Sequence, residues 1–151
     1  MQGISKESVK IWVTSLNKKR VLHRYYKIFL PNYGVFDEKR YFSPGSQLPI
    51  YLYEDLKIGL SICEDIWQDL FFEVLKEEKY LPQILINISA SPFFAGKFIQ
   101  RRRLLSRRAK ETKSIILYCN LVGGQDELIF DGASLVVDSE GKVILWAKRF
   151  E

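Results

Sequence analysis

Apolar and polar residues fall along this chain in short blocks, and each block predicts an element. Residues 9–16, Val-Lys-Ile-Trp-Val-Thr-Ser-Leu, are β-rich, and Arg20 to Tyr26 alternates again beyond Asn17-Lys18-Lys19, so a hairpin is expected. Tyr25 to Phe42 is punctuated by Pro31 and Gly34 and is too irregular for one helix or strand. Loops of that kind on a rigid scaffold carry binding residues. Ser43 to Ser46 is a turn, followed by strands over 48–53 and 56–62 joined at Glu54-Asp55. The apolar run Lys57 to Ile62 then meets Cys63 and two acids, after which Ile66, Trp67, Leu70, Phe71, Val74 and Leu75 recur at helical spacing. A buried strand passing into a helix is expected, with Cys63 at the joint and the helix stopping near Tyr80 because Pro82 cannot continue it.

The second half repeats the alternation. Ile84 to Ile88 is a short buried strand, 89–97 an irregular loop, 98–112 a helix, Ile115 to Cys119 a strand, and 121–127 a Gly-rich polar loop. Ala133 to Val137 and Lys142 to Trp146 flank the turn Asp138-Ser139-Glu140-Gly141, a hairpin signal. On the helix, Phe98, Leu105 and Ala109 supply a core side, which puts Arg101, Arg102, Arg103, Arg107 and Arg108 on a solvated face, within reach of acids at Asp37-Glu38 and Asp126-Glu127. The fold class is α/β, with polar loops following apolar strands and no internal repeat.

Composition narrows the function classes. At 151 residues the chain is one domain or less, and 47% hydrophobic residues is ordinary for a globular protein. No apolar run approaches the roughly 20 residues of a membrane helix, and the first residues lack a signal-peptide core, so no membrane association is expected. Two cysteines make no disulfide framework, which points to a cytoplasmic location. One histidine, His23, and no Cys-x-x-Cys leave no metal site to expect. The net charge of +5 and the arginine-rich helix, with Lys97 and Lys110, keep a nucleic-acid-binding module as an alternative, behind that of a solvated helix face.

Chemistry concentrates at Cys63. A cysteine where a strand turns into a helix meets backbone N–H groups and a helix N-terminus, which favour the thiolate and hence a nucleophile. Cys119, inside an apolar strand pattern, is a core cysteine on the same reasoning. With a single histidine in the chain, a base for the thiol proton falls to carboxylate or lysine. A lysine stabilises thiolate and oxyanion, a glutamate shuttles the proton, and the backbone N–H of Glu64 is a natural oxyanion donor.

Four strings in order carry a resemblance: Lys27-Ile28-Phe29-Leu30-Pro31-Asn32-Tyr33-Gly34-Val35-Phe36-Asp37-Glu38, Cys63-Glu64-Asp65-Ile66-Trp67, Ser91-Pro92-Phe93-Phe94-Ala95-Gly96-Lys97, and Gly123-Gly124-Gln125-Asp126-Glu127-Leu128-Ile129-Phe130-Asp131-Gly132. Over roughly residues 20 to 147 the chain resembles the nitrilase, or carbon–nitrogen hydrolase, superfamily, and within it the glutaminase domains of glutamine-dependent NAD⁺ synthetases. The resemblance implies a four-layer αββα sandwich and a Glu-Lys-Cys triad. It implies Cys63 as the nucleophile that forms a thioester with glutamine, Lys27 as the triad lysine, and Glu38 as a second glutamate supporting lysine and substrate. It further implies that Tyr33, Ser91 and Lys97 hold glutamine. In the family the ammonia passes to a separate synthetase domain, with ATP and Mg²⁺, that amidates deamido-NAD⁺, and the full-length enzyme is a homo-oligomer.

The family's triad glutamate lies well upstream of its lysine, whereas only Glu7 among the clear acids precedes Lys27 here, without the strand or Gly-Tyr/Phe-Pro context of that base, so it is not assigned. Residues 1–151 are therefore expected to be an internal piece of a glutaminase domain, with no cofactor of its own, its first strands and its synthetase domain absent, and little activity alone. The alternative is a non-catalytic remnant that needs a partner chain.

Overall fold

Chain order places strands β1 (Trp12–Asn17) and β2 (Arg20–Tyr26) first, paired as the expected hairpin, with Lys18 and Lys19 at positive φ in its turn. The computed structural model describes residues 9–47, 49–77 and 81–151. The signal-peptide reading of the first residues, Glu7, the expected strand start at Leu48 and the helix end at Tyr80 lie outside them. After β2 the chain runs irregularly to a single helical turn, α1 (Glu38–Tyr41), and then to β3 (Ile50–Tyr53) and β4 (Leu56–Ile62).

Around β4 a six-stranded mixed sheet assembles. Its other strands are β5 (Ile84–Ser89), β6 (Ile115–Asn120), β9 (Leu135–Val137) and β10 (Val143–Trp146), in the order β10-β9-β6-β5-β4-β3. The central strands β4, β5 and β6 carry continuous apolar runs and are parallel, and the outer pairings are antiparallel. Helices α2 (Asp69–Glu77) and α3 (Lys97–Thr112) supply the crossovers and cover one face. There Leu85, Ile116, Leu135 and Val137 meet Phe72, Leu75, Leu105 and Ala109 in a closed core. On the opposite face the hairpin covers β4 at Leu60 and Ile62, and Ser15 and Asn17 hydrogen-bond the hydroxyls of Tyr51 and Tyr53 on β3. The described residues thus form a helix layer, a central sheet and a strand pair on the sheet's far side, as in an αββα sandwich. Within the described residues, the rest of that face is bare. Ile86, Leu117, Cys119, Val136 and Leu145 line a shallow apolar groove of about 330 Å³ on it.

Three expectations change. The helix after Cys63 is broken: Cys63–Trp67 is a 3-10 turn, Gln68 is extended, and α2 begins at Asp69. With three residues per turn in the first part, the 3.6-residue apolar phase does not carry through. Leu70 and Val74 are accordingly exposed, while Phe71, Phe72 and Leu75 are buried. The Gly-rich loop is instead strand β7 (Val122–Gln125), which is exposed and pairs with β8 (Leu128–Asp131), buried at its Phe130-Asp131 end, through the turn Asp126-Glu127. Cys119 is not a core residue, because it points to the bare face and is exposed.

The two faces differ in what they contribute to stability. In the 151-residue chain, Leu105→Ala on α3 is expected to cost about 2–5 kcal/mol in denaturant unfolding, the range for a fully buried leucine. Leu145→Ala on β10 should stay within about 0.5 kcal/mol, as for an exposed position. Equal losses would mean that the core is not on the helix side.

Candidate active site

The parallel strands β4, β5 and β6 all end on one edge of the sheet, the edge where open α/β sheets bind ligands. Cys63 follows β4, Ser91 follows β5 and Asn120 closes β6. Cys63 has φ +44°, uncommon for a residue with a Cβ, and this kink lifts its side chain off the strand into the turn.

Lys27 leaves β2 nearly enclosed, at 2% exposure. Its ammonium donates to both oxygens of Glu38, at 2.7 and 2.6 Å, from the first residue of α1. Its backbone is fixed on both sides: its N–H donates to the Ile11 carbonyl, and its carbonyl accepts from the Gly45 N–H. Gly45 is required there, since a Cβ would come within 2.2 Å of the Tyr26 carbonyl oxygen. Asp65, fully buried, accepts from the N–H of Ile62, the N–H of Phe29 and the hydroxyl of Tyr25. Two of those donors flank Lys27, and the third precedes Cys63.

Tyr33, Cys63, Glu64, Trp67, Ser91, Phe94 and Lys97 line one cavity of about 480 Å³. Glu64 forms its wall with a neighbouring cleft of 650 Å³ that does not reach Cys63. One oxygen of Glu64 accepts from the Tyr33 hydroxyl at 2.7 Å and the other from the Gln68 amide. The Lys97 ammonium stands 3.9 Å from the centre of the Trp67 ring and 5.1 Å from that of Phe94, half-buried, with its pKa lowered by burial and by Arg101. All the expected substrate-binding residues therefore meet at Cys63, with the Lys27–Glu38 pair behind it.

Burial pushes the Cys63 thiol above its ordinary value, while the charge of Lys27 and the backbone N–H of Ala90 pull it down and Glu64 and Glu38 push it up. The expectation of a thiolate favoured by a helix N-terminus is thus corrected. The turn is short, and the groups that support the anion are Lys27 and Ala90. Asp65 also sits above its ordinary range, chiefly through burial, with its hydrogen-bond donors and Lys27 opposing. Among the described residues no cluster of three or more His, Cys, Asp or Glu is arranged to hold a metal ion.

The arginines of α3 are not all on a solvated face. Arg101 and Arg108 are buried at 0% and 1%. Arg108 donates to the carbonyls of Ile66 and Trp67, closing the far end of the Cys63 turn, and lies over the Phe72 ring. Arg101 pairs with Asp131 and Arg108 with Asp69 and Glu111, rather than with Asp37-Glu38 or Asp126-Glu127. A signal for this was present. Arg101, Leu105, Arg108, Ala109 and Thr112 fall on one helical stripe, the buried one.

A family model described as carbon-nitrogen hydrolase matches residues 10–151. Glutamine-dependent NAD(+) synthetase of Thermotoga maritima is 47% identical over 131 residues, which cover 87% of this chain and 23% of that protein. The structure of glutamine-dependent NAD+ synthetase from Acinetobacter baumannii, in complex with adenosine diphosphate, matches with a TM-score of 0.89 and 39% identity, over 95% of this chain and 27% of that one. A carbon-nitrogen hydrolase from Helicobacter pylori G27, at 22% identity and a TM-score of 0.78 over 88% of this chain and 50% of its own, shares the fold.

The electrostatics set a pH dependence. Only thiolate alkylates, and burial holds the Cys63 thiol up, so in a Cys119→Ser background its alkylation should still be rising at pH 9.0, the ordinary thiol value. Lys27→Met removes a lowering influence and should move the profile further to alkaline, by about one pH unit or more. Mass spectrometry of the Cys63 peptide after timed iodoacetamide reads both. An unshifted profile in Lys27→Met would mean that this ammonium does not act on the thiol.

Proposed function

The chain belongs to the carbon–nitrogen hydrolase family, and from that membership we propose that it is the glutaminase part of a glutamine-dependent NAD⁺ synthetase. The observation that carries the proposal is the enclosed Lys27–Glu38 pair acting on Cys63 at the wall of a cavity that also holds Lys97. That combination suits a cysteine nucleophile attacking a small amide that carries a carboxylate.

In this reading the Cys63 thiolate attacks the side-chain amide carbon of glutamine. The new C–S bond moves an electron pair onto the carbonyl oxygen, where the Glu64 N–H and the Lys27 ammonium stabilise it. Glu38 orients Lys27 by accepting two hydrogen bonds from it. Collapse breaks the C–N bond, the nitrogen takes up the proton that the Cys63 thiol gave up and leaves as ammonia, and a γ-glutamyl thioester remains. Water then attacks the thioester and returns the thiol, releasing glutamate. Ser91 and Tyr33 orient the amino-acid end, and the half-buried Lys97 pairs with its α-carboxylate.

The chain spans 23% of the Thermotoga relative's length, and the remaining steps belong to the whole protein. There, ATP and Mg²⁺ would drive amidation of deamido-NAD⁺ by the released ammonia, in a cytoplasmic homo-oligomer. Both described carboxylates nearest the thiol are already engaged, Glu38 by Lys27 and Glu64 by Tyr33 and Gln68. Among the described residues neither of these two carboxylates is therefore an idle proton shuttle, and Glu7 lies outside the described residues. Loss of a general acid–base costs about 10²–10⁴-fold, so the 151-residue chain alone should hydrolyse glutamine slowly or not at all.

Glutamate release from glutamine, measured for the intact protein and for this chain with Cys63→Ala controls, tests both statements. The intact protein should release glutamate and lose that activity in Cys63→Ala. Absence of activity in the intact protein would sink the substrate assignment. Fast, Cys63-dependent turnover by the 151-residue chain would show that Glu7, Glu38 or Glu64 serves as the base.

A further inference from the structure

Ser91 lies in a segment, 90–94, that belongs to no helix or strand, yet it is 3% exposed and both of its backbone groups are taken by buried side chains. Its N–H donates to Asn120 Oδ1 at 2.9 Å, and its carbonyl accepts from Arg101 Nη2 at 3.0 Å. The two holders come from different elements, β6 and α3, and both finish on the same corner at the end of β8. Asn120 Nδ2 donates to the Gly132 carbonyl at 2.9 Å, and Arg101 Nη1 donates to Asp131 at 2.8 Å. Asp131 is fully buried, and its other oxygen accepts from Arg149 at 3.3 Å. Gly132 has φ +63°, and a Cβ on it would come within 2.6 Å of a Val122 methyl, so the corner itself is fixed by its residue types.

We propose that Arg101 and Asn120 are positioning residues that pin Ser91 against the Asp131–Gly132 corner, so that the substrate loop meets Cys63 already in its binding geometry. The proposal rests on the reading of Ser91 as a substrate-binding residue. It also gives the Asp131–Gly132 end of the fourth sequence string a task that the chemistry at Cys63 does not. A loop without a backbone ladder has many conformations to lose on binding, and pinning it beforehand removes that cost from the affinity for substrate. The planar guanidinium is the group for this place, since its fork reaches a carboxylate and a carbonyl at once where a lysine offers a single point.

The test is made in the intact protein with Arg101→Lys, which keeps the charge, and Asn120→Ala. Hydrogen exchange should accelerate at the Ser91 amide and its loop while β5 and β6 stay protected. The KM for glutamine should rise with kcat changed far less, and kcat/KM should fall by about 10²-fold, the cost of small misplacement. Iodoacetamide does not need Ser91, so Cys63 alkylation should fall far less than kcat/KM, by no more than a weakened Ala90 N–H in the same loop accounts for. Unchanged loop exchange in both variants overturns the proposal, as does faster loop exchange with an unaltered KM. Equal losses in KM, alkylation and strand protection overturn it too, since they mark general loosening. If the wild type does not hydrolyse glutamine, the substrate reading fails by itself, and exchange at Ser91 still decides whether the two residues pin the loop.

Discussion

A single buried carboxylate, Asp65, holds the two halves of the site together. Tyr25 and Phe29, which it binds, stand on either side of Lys27; Ile62, the third partner, stands beside Cys63. A carboxylate without water is costly unless its oxygens are filled, and here three donors fill them, with the charge of Lys27 nearby. The cation and the thiol come from segments 36 positions apart (63 − 27). The β2 segment, the nucleophile turn and the α1 turn carrying Glu38 all take their places from this arrangement.

The other end of the nucleophile turn depends on α3. Arg108 satisfies carbonyls that a 3-10 turn leaves open at its end, and it does so from the helix that covers the sheet. Arg101, two turns earlier, reaches the loop after β5. One helix therefore braces the nucleophile and the substrate loop together, and two of the chain's positive charges are spent inside the fold rather than on a surface stripe.

Much of this was legible in the residues. Cys63, Lys27, Glu38, Tyr33, Ser91 and Lys97 sit in strings whose order already suggested one site. The burial of the central strands followed from continuous apolar runs, and their parallel pairing came only with the structure. What stayed hidden depended on contacts between distant segments. Arg101 and Arg108 share the buried stripe of α3 in the sequence, but their partners, Asp131 and the Ile66 and Trp67 carbonyls, are known only once the fold brings them together. Gly123 and Gly124 look like a loop because glycine carries no strand signal, and only pairing with β8 makes them one. Cys119 has an apolar neighbourhood in sequence, but strand residues face alternately, and its side of β6 is bare.

That bare side bears on how the short chain behaves in a test tube. Among the described residues, Leu117, Val136 and Leu145 line a groove with the accessible Cys119 thiol on an uncovered sheet face. Where two copies meet through such a patch with their Cys119 thiols together, dissolved oxygen oxidises the pair to a disulfide. Covalent dimers formed on storage would then report the exposed sheet and nothing about glutamine chemistry, so preparations kept under reductant, or carrying serine at that position, are the ones whose mass and turnover describe the enzyme.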